Sequence, residues 1–270
     1  MHAAIRRLAG KSPSPRVDAE MLFCHVLHCS TVRLRLDSEQ PLDRATWQRI
    51  DHLVARRLAG EPVAYLIGER GFWTLDLSVD PRALIPRPET ELLVDRALHR
   101  VPRPSARVAD LGTGTGAIAL ALASERPGWQ ITGIERDPDT LALARRNSIR
   151  LQFSVDWREG DWLKPLAGER MDLIVSNPPY IADGDRHLEQ GDLRFEPRHA
   201  LVSGPDGLDA LRIIIRDAPR HLRPGGWLLL EHGYDQQAAV QELMRRERFR
   251  DITSHKDLGD QPRVTEGRIA

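Results

Sequence analysis

The strongest constraint on the fold is a regular alternation of short apolar segments and amphipathic segments from Arg107 onward. The apolar segments have the length of buried strands, and the amphipathic ones have helical spacing. Such alternation predicts an α/β domain whose mostly parallel sheet carries helices on both faces. The expected strands are 108–111, 131–134, 153–155, 171–176 and 227–231, and the expected helices are 118–125, 138–150 and 208–222. Sheets of this kind bind ligands at the carboxyl ends of their strands.

Residues 1–72 have a different pattern, in which apolar side chains recur at spacings of three and four, as at Trp47, Ile50, Val54 and Leu58. This periodicity predicts a small all-helical bundle. The alternating residues Leu75, Leu77 and Val79 predict a hairpin within a linker at 73–88. Residues 89–270 are then assigned to the sheet domain.

Composition argues against several classes of protein. The 39 basic residues equal the 39 acidic ones, so the chain has no net charge and is not expected to bind nucleic acid directly. No apolar run approaches the roughly 18 residues of a membrane span, and the N-terminal segment lacks the pattern of a secretory signal. Two cysteines are too few for a disulfide framework. A cytoplasmic protein with no membrane partner is expected.

A glycine-rich segment, D-L-G-T-G-T-G at residues 110–116, directly follows the first expected strand. Glycines let a ligand approach the backbone closely, so Gly112, Thr113, Gly114, Thr115 and Gly116 are candidate cofactor-binding residues. Glu135, at the end of the second expected strand, has two acceptor oxygens that suit the ribose hydroxyls of a nucleoside. NAD and S-adenosylmethionine both fit this pattern, although the glycine spacing differs from that of dinucleotide-binding turns.

Two further residues are expected at the adenine of such a cofactor. Gly160-Asp161-Trp162 follows the third expected strand. The carboxylate of Asp161 is a suitable acceptor for the adenine amino group, and the indole of Trp162 is a suitable stacking surface. The alternative for Trp162 is a half-buried packing role.

The most specific motif is Asn177-Pro178-Pro179-Tyr180, immediately after the expected strand 171–176. Each proline holds the preceding residue in an extended conformation. The side-chain oxygen of Asn177 and the carbonyl of Pro178 therefore become fixed acceptors, which suit the two N–H groups of a planar –NH₂. The ring of Tyr180 offers a flat surface for a planar amide or base. Asn177, Pro178 and Tyr180 are thus the candidate catalytic residues, and with Pro179 they form the candidate substrate site.

Together, the glycine turn and this tetrapeptide resemble class I S-adenosylmethionine methyltransferases that act on planar nitrogens. The chain more narrowly resembles the HemK-type release factor glutamine methyltransferases, and the resemblance covers nearly all of it. The narrower resemblance rests on three longer segments: L-I-P-R-P-E-T-E at 84–91, R-F-E-P at 194–197, and Glu231-His232-Gly233 followed by Gln236. It implies a Rossmann-like, seven-stranded sheet domain preceded by a helical substrate-docking bundle and a β-hairpin linker.

The resemblance also implies the reaction. S-adenosyl-L-methionine would donate a methyl group to the side-chain amide nitrogen, N5, of the glutamine in the Gly-Gly-Gln motif of class 1 peptide chain release factors, leaving S-adenosyl-L-homocysteine. Asn177 is expected to contact cofactor and substrate alike. Because the sulfonium is already an activated methyl donor, no catalytic metal is expected.

Several alternatives remain at this point. An amino methyltransferase acting on adenine or guanine of nucleic acid would use the same tetrapeptide, and a cofactor-binding scaffold or a dehydrogenase would share only the glycine turn. Arg87 and Glu91 either line the cofactor entrance or form a structural salt bridge. A zinc site at Cys24, His25, His28 and Cys29 would need further ligands, because neither helix face supplies four.

Overall fold

The structure, a computed structural model, describes residues 1–37 and 40–270. These residues form two compact units. The first contains Met1–Glu69 together with the later segment Arg186–Phe195, and the second contains Arg70–Asp185 and Glu196–Ala270. The first unit therefore takes its residues from two separate parts of the chain.

The first unit is helical, as the N-terminal periodicity predicts. Its helices are α1 (His2–Leu8), α2 (Pro15–Leu27), α3 (Thr31–Leu36), α4 (Arg44–Leu58) and α5 (Val63–Ile67). Helix α4 begins after Asp43, whose side chain accepts a hydrogen bond from the Thr46 amide at 2.9 Å, the usual N-terminal cap. The core of the unit includes Leu22, Phe23 and Ile50. Trp47, in contrast, is 38% exposed although its spacing places it in the apolar stripe.

A buried arginine joins the two chain segments of this helical unit. Arg57 of α4 pairs with Asp18 of α2 at 2.6 Å and with Asp192 of the later segment at 2.8 Å. Its Nη1 also donates to the carbonyl oxygens of Gly60 and Glu61. A buried guanidinium needs such partners to offset its desolvation. Arg194 adds a hydrogen bond to the Ala59 carbonyl at 3.0 Å.

The second unit contains the sheet and, from Arg70 onward, a hairpin. Strands β1 (Glu69–Phe72) and β2 (Leu75–Ser78) pair as a two-stranded sheet. The first strand of this hairpin, β1, lies before the predicted linker 73–88, because the last helix of the helical unit, α5, already ends at Ile67. The larger sheet has seven strands in the order β5-β4-β3-β6-β7-β9-β8. Its members are β3 (Arg107–Leu111), β4 (Gln130–Glu135), β5 (Asp156–Glu159), β6 (Met171–Ser176), β7 (Leu222–Glu231), β8 (Arg250–Lys256) and β9 (Pro262–Arg268). Strands β3 to β7 are parallel, and β9 runs antiparallel to both β7 and β8.

Helices pack on both faces of this sheet, which confirms the predicted fold class. They are α6 (Glu91–Arg100), α7 (Ala117–Glu125), α8 (Pro138–Leu151), α9 (Asp209–Asp217) and α10 (Gln237–Arg246). Leu173 and Val175 of β6 join one apolar cluster with α6 and α7. Ile174, between them, joins a second cluster with α9 and α10. Neighbouring side chains thus point to opposite faces, as a strand covered on both sides requires.

Within the large sheet and its helices, three further boundaries differ from the sequence prediction. The third parallel strand is Asp156–Glu159 rather than 153–155, because the chain leaves α8 through Gln152 at φ +61° and the Phe153 amide still bonds to Ser148. The helix expected at 208–222 ends at Asp217, and β7 begins at Leu222 rather than at 227. Strands β8 and β9 were not expected individually. The residues of β8 are exposed or half-buried, and β9, although its middle is buried, has a sequence that contains only one large apolar residue, Val264.

Candidate active site

The strand register brings the predicted site residues to one edge of the sheet. Leu111 of β3 pairs with Ile134 of β4 and with Ser176 of β6. The Ser176 hydroxyl also donates to the Leu111 carbonyl at 2.7 Å. Gly112 and Asn177, which follow β3 and β6, and Glu135, the last residue of β4, therefore lie at the same edge of the sheet. This is the edge at which a parallel sheet binds ligands.

A cavity of about 320 Å³ opens at this edge. The predicted residues that line it are Gly112, Thr113, Gly114, Thr115, Glu135, Asp161, Trp162, Asn177 and Pro179. Gly116, Pro178 and Tyr180 are not among its lining residues. Lining residues that the sequence reasoning did not single out include Phe72, Arg82, Thr90, Arg136, Thr140, His199, Ser203 and Ile213.

The glycine turn owes its shape to close packing. Gly112 has φ +65°, and a Cβ there would lie 3.3 Å from the ring of Trp162. Gly116 has φ +84°, and a Cβ there would lie 2.9 Å from the ring of Trp157. Both positions thus favour glycine for conformation and for space. Gly116 serves the packing of Trp157 and does not reach the cavity.

The carboxyl of Asp110 fixes the glycine turn through hydrogen bonds. Its Oδ2 accepts hydrogen bonds from the Thr113 hydroxyl at 2.5 Å and from the Ala119 amide at 3.2 Å. Its Oδ1 is buried without a hydrogen bond among the described residues. Burial of the whole carboxyl raises the pKa of Asp110 to about 7, even though the two hydrogen bonds act in the opposite direction.

The carboxylate of Glu135 is largely occupied by the protein itself. Its Oε1 accepts from the amides of Arg136 at 2.8 Å and Asp137 at 3.2 Å, and its Oε2 accepts from the Gly114 amide at 3.1 Å. A carboxylate has about four acceptor positions. One acceptor position on Oε2 therefore remains. It is enough for one hydrogen bond from a ribose hydroxyl in the cavity.

The predicted adenine-binding pair lies at the same cavity. Asp161 pairs with Lys164 at 2.8 Å and keeps a half-exposed side chain. Trp162 has a left-handed backbone, with φ +51°, and its ring packs against Gly112. The ring therefore has the packing role and also lines the cavity, while stacking on adenine stays a prediction.

Asn177 is oriented by a threonine from a distant part of the chain. Its Nδ2 donates to the Oγ1 of Thr90 at 3.0 Å. Thr90 ends the short 3₁₀ turn Pro88–Thr90 in front of α6 and is 4% exposed. Because the amide nitrogen points to Thr90, Oδ1 of Asn177 is the atom left for a ligand in the cavity.

Tyr180 is held at both its ring and its backbone. The phenol donates to Oε1 of Glu231 at 3.2 Å, and burial raises the pKa of this phenol. The Tyr180 carbonyl accepts from Nε2 of Gln236 at 2.9 Å, while Oε1 of Gln236 accepts from the Gly233 amide. The segment from Glu231 to Gln236, singled out only by resemblance, thus supports the tetrapeptide. Its position after the end of β7 was the signal that could have indicated this role.

Glu231 is unusual because it is almost fully buried. It is 1% exposed, and burial raises the pKa of its carboxyl to about 7. The hydroxyls of Thr90 and Tyr180 and the charge of Arg263 act in the opposite direction. Its Oε2 has no hydrogen bond within normal distance among the described residues.

Arg87 has a place in the cavity lining and also forms a salt bridge, with Glu196. These are the two placements that the sequence left open for it. Glu196 further accepts a hydrogen bond from the Ile85 amide at 3.1 Å, which joins two segments of the resemblance. Glu91 instead accepts from the Trp73 amide at 2.8 Å and does not line the cavity.

The candidate zinc ligands of the sequence form no metal site in the described part of the chain. Among residues 1–37 and 40–270, no group of three or more His, Cys, Asp or Glu side chains is arranged to hold a metal ion. Cys24 and Cys29 are free thiols of intermediate exposure. No helix in the described part of the chain is long and apolar enough to cross a membrane.

Comparison with known protein families gives two matches. Residues 1–68 match the family described as PrmC N-terminal domain, and residues 88–193 match the Methyltransferase small domain. Together they cover the helical unit and the glycine turn, cavity edge and tetrapeptide of the sheet unit.

Curated relatives match over nearly their whole length. The chain is 54% identical to a protein of Xylella fastidiosa, covering 94% of the chain and 93% of the relative. It is 52% identical to one of Pseudomonas aeruginosa (96% and 94% covered) and 47% identical to one of Escherichia coli (95% and 93% covered). All three are named Release factor glutamine methyltransferase.

Solved structures agree with the fold at low sequence identity. A methyltransferase from Pyrococcus furiosus has a TM-score of 0.56 at 20% identity, covering 79% of this chain and 96% of that one. The T. thermophilus 16S rRNA N2 G1207 methyltransferase, solved with AdoMet and guanosine, also has a TM-score of 0.56 at 20% identity, covering 75% of this chain and 50% of that one. These likenesses concern the fold alone.

Proposed function

The chain belongs to the release factor glutamine methyltransferase family, and from this premise we propose how its cavity serves the reaction. The enzyme transfers a methyl group from S-adenosylmethionine to N5 of the glutamine in the Gly-Gly-Gln motif of class 1 peptide chain release factors. One observation carries the proposal: the glycine turn after β3 and the tetrapeptide after β6 meet at a single cavity.

The residues around the cavity fit S-adenosylmethionine. The turn at Gly112 leaves its backbone uncovered on the cavity side, Glu135 keeps one acceptor position, and Trp162 presents part of its ring. Asp161 adds a carboxylate acceptor for the adenine amino group. When bound, the cofactor supplies a methyl group that is already activated by its positive sulfonium.

Of the tetrapeptide, Asn177 and Pro179 line the cavity, whereas Pro178 and Tyr180 do not. We propose that, with the substrate bound, Oδ1 of Asn177 and the carbonyl of Pro178 accept the two N–H groups of the glutamine, and the ring of Tyr180 supports its plane. An amide nitrogen is a weak nucleophile, because its lone pair is shared with the carbonyl. Acceptors fixed before the reaction stabilise the positive charge that develops on this nitrogen. The methylated nitrogen then loses one of its protons to water.

The helical unit is proposed to capture the release factor. Five large apolar side chains of this unit are exposed: Val17 (54%) on α2, Val32 (69%) and Leu36 (75%) on α3, Leu42 (36%) before α4, and Trp47 (38%) on α4. Exposed apolar side chains are candidate contacts for a protein partner. Val32, Leu36 and Trp47 are together called the apolar surface below.

The direct test uses labelled S-adenosylmethionine with a purified release factor. Label is expected in the intact factor and absent when the glutamine of its Gly-Gly-Gln motif is replaced by alanine. Mass spectrometry of the digested factor should place the added methyl on that glutamine. Ribosomal RNA and duplex DNA serve as competing substrates in parallel reactions. Label on an adenine or guanine amino group, with none in the release factor, would overturn the substrate assignment.

A further inference from the structure

We propose that Gln236 and Gly207 are positioning residues that orient the backbone carbonyl of Pro178 toward the substrate amide. Neither residue lines the cavity, and the reaction described above gives neither of them a role. The inference rests on the proposed function, because Pro178 is there the second acceptor for the glutamine. It is carried by the hydrogen bonds of the Gln236 side chain and by the close approach of Gly207 to the backbone of Tyr180.

The prolines of the tetrapeptide do not by themselves fix that carbonyl. A proline ring fixes φ, whereas the direction of a residue's carbonyl depends on ψ. Because Pro179 follows it, Pro178 is confined to ψ values of roughly 120° to 160°. This range of about 40° is wider than the roughly 10–20° within which a productive contact must be held. A further anchor is therefore needed beyond Pro179, at Tyr180.

The side-chain amide of Gln236 supplies this anchor. Its Nε2 donates to the Tyr180 carbonyl at 2.9 Å and to the Asp206 carbonyl at 3.4 Å. Its Oε1 accepts from the Gly233 amide at 2.9 Å. The reversed amide would place its oxygen against two carbonyls and its –NH₂ against an N–H group, so these contacts fix its orientation. Gln236 is also buried, at 9% exposure, which shields the contacts from water.

The peptide unit between Tyr180 and Ile181 is held on two opposite sides. Its carbonyl accepts from Gln236, and its N–H, the amide of Ile181, donates to the Leu201 carbonyl at 2.9 Å. In a trans peptide these two groups lie in one plane and point in opposite directions. Two opposite contacts prevent rotation of that plane, whereas a single contact leaves it free to pivot.

Gly207 allows the backbone to approach this carbonyl closely. It has φ +74°, and a Cβ there would lie 2.2 Å from the Tyr180 carbonyl oxygen and 2.8 Å from Nε2 of Gln236. A side chain at position 207 would therefore displace the same carbonyl that Gln236 holds. Val202 and Ser203, a few residues earlier, line the cavity. The contact thus joins one wall of the cavity to the tetrapeptide.

The first experiment measures steady-state methylation of the release factor by Gln236→Glu at pH 8. The glutamate has nearly the same shape and still accepts from Gly233, but its carboxylate cannot donate to the Tyr180 carbonyl. We expect kcat to fall by about 10- to 100-fold, while KM for the release factor stays near the native value. The calorimetric Kd for S-adenosylmethionine should also stay native, because the glycine turn, Glu135 and Trp162 follow or end other strands than β7.

Gly207→Ala displaces the same carbonyl by another route and should give the same division, a lower kcat with a native Kd. Its matched control is Gly168→Ala. Gly168 has a similar φ of +79°, but a Cβ there would meet no described atom within 4 Å. The control for Gln236→Glu is Gln241→Glu, since Gln241 also donates from α10, to the Ser254 hydroxyl at 2.9 Å, and lies outside the cavity lining. Both controls should keep the native kcat.

An NMR measurement without substrate or cofactor tests the contact itself. Tyr180-Ile181 is the only Tyr-Ile pair in the sequence. Protein labelled with ¹³C-carbonyl tyrosine and ¹⁵N-isoleucine therefore gives one carbonyl signal correlated with an amide, that of Tyr180. Because a hydrogen bond deshields a carbonyl carbon, this signal should move upfield in Gln236→Glu and stay in place in Gln241→Glu.

The outcomes separate the inference from the proposed function. A Tyr180 signal that does not move in Gln236→Glu, or one that moves while kcat stays native, would overturn the inference alone. Equal losses of kcat and of cofactor affinity would also overturn it, since they indicate a purely structural role. A native protein that methylates no release factor would overturn the proposed function, and the inference with it.

Discussion

Replacing Asp110 by asparagine should stabilise the protein at neutral and alkaline pH. The carboxyl is fully buried, and burial raises its pKa from 3.8 to about 7. An unfolded chain releases this proton near pH 3.8, so between these values the folded protein holds the extra proton. Stability therefore falls as pH rises through this window. Asparagine keeps the oxygen that bonds to Thr113 and Ala119 but has no charge to bury.

The size of the effect follows from the difference between the two pKa values. About three pH units at roughly 1.4 kcal/mol per unit gives about 4 kcal/mol of destabilisation above pH 7. The free energy of unfolding of Asp110→Asn should therefore exceed that of the native protein by a margin that grows by about 1.4 kcal/mol per pH unit between pH 5 and pH 7. Urea unfolding at pH 5, 6, 7 and 8, followed by circular dichroism, measures this margin.

Asp172 provides the matched control. It is also buried, at 5% exposure, but the Arg107 amide and the charges of Arg223 and Arg103 outweigh burial and lower its pKa. Asp172 is thus ionised in folded and unfolded chains throughout this range. Asp172→Asn should destabilise by about 1–3 kcal/mol, equally at every pH. The reasoning fails if the margin for Asp110→Asn is independent of pH, or if that variant is the less stable protein at pH 8.

Three further predictions concern activity. Asn177→Ala should reduce methyl transfer by orders of magnitude while the far-ultraviolet spectrum stays native, and near-native turnover would refute the role of the tetrapeptide. Leu36→Glu combined with Trp47→Glu should raise KM for the intact release factor but not for a short Gly-Gly-Gln peptide. The control Leu258→Glu, at a fully exposed position of the sheet unit, should change neither constant, and equal losses in both variants would exclude docking at the apolar surface. The kcat of the native enzyme should fall as the pH drops below about 7, because Glu231, the acceptor of the Tyr180 phenol, takes up a proton there, and this inflection should be absent from Glu231→Gln.

The features that the sequence predicts well are local ones. Alternating segments identify four of the parallel strands, and Asn177 falls directly after one of them. The third strand was misplaced because Phe153 and Val155 are apolar yet pack outside the strand, next to the apolar core. Strand β8 was missed because its residues are largely exposed and polar, so they lack the apolar signal of a buried strand.

Contacts between residues that are far apart in the sequence cannot be predicted from local sequence patterns. Thr90 and Asn177 are 87 residues apart, and Tyr180 and Glu231 are 51 apart. No periodicity connects such pairs, because their meeting depends on the order of strands in the sheet. Asp110 differs, because its partners Thr113 and Ala119 are close in the sequence. Its role in the turn was missed because the sequence does not show that this carboxyl is buried.

The helical unit has a consequence for the order in which the chain folds during synthesis. Its second segment begins at Arg186, 117 residues after Glu69. At about 5–20 residues per second, a ribosome needs roughly 6–23 s to make that stretch. Until then Arg57 has Asp18 but not Asp192 beside it. The first helices to emerge thus wait for their partner segment while much of the sheet unit is made, and a chain ending at residue 69 would lack part of its own unit.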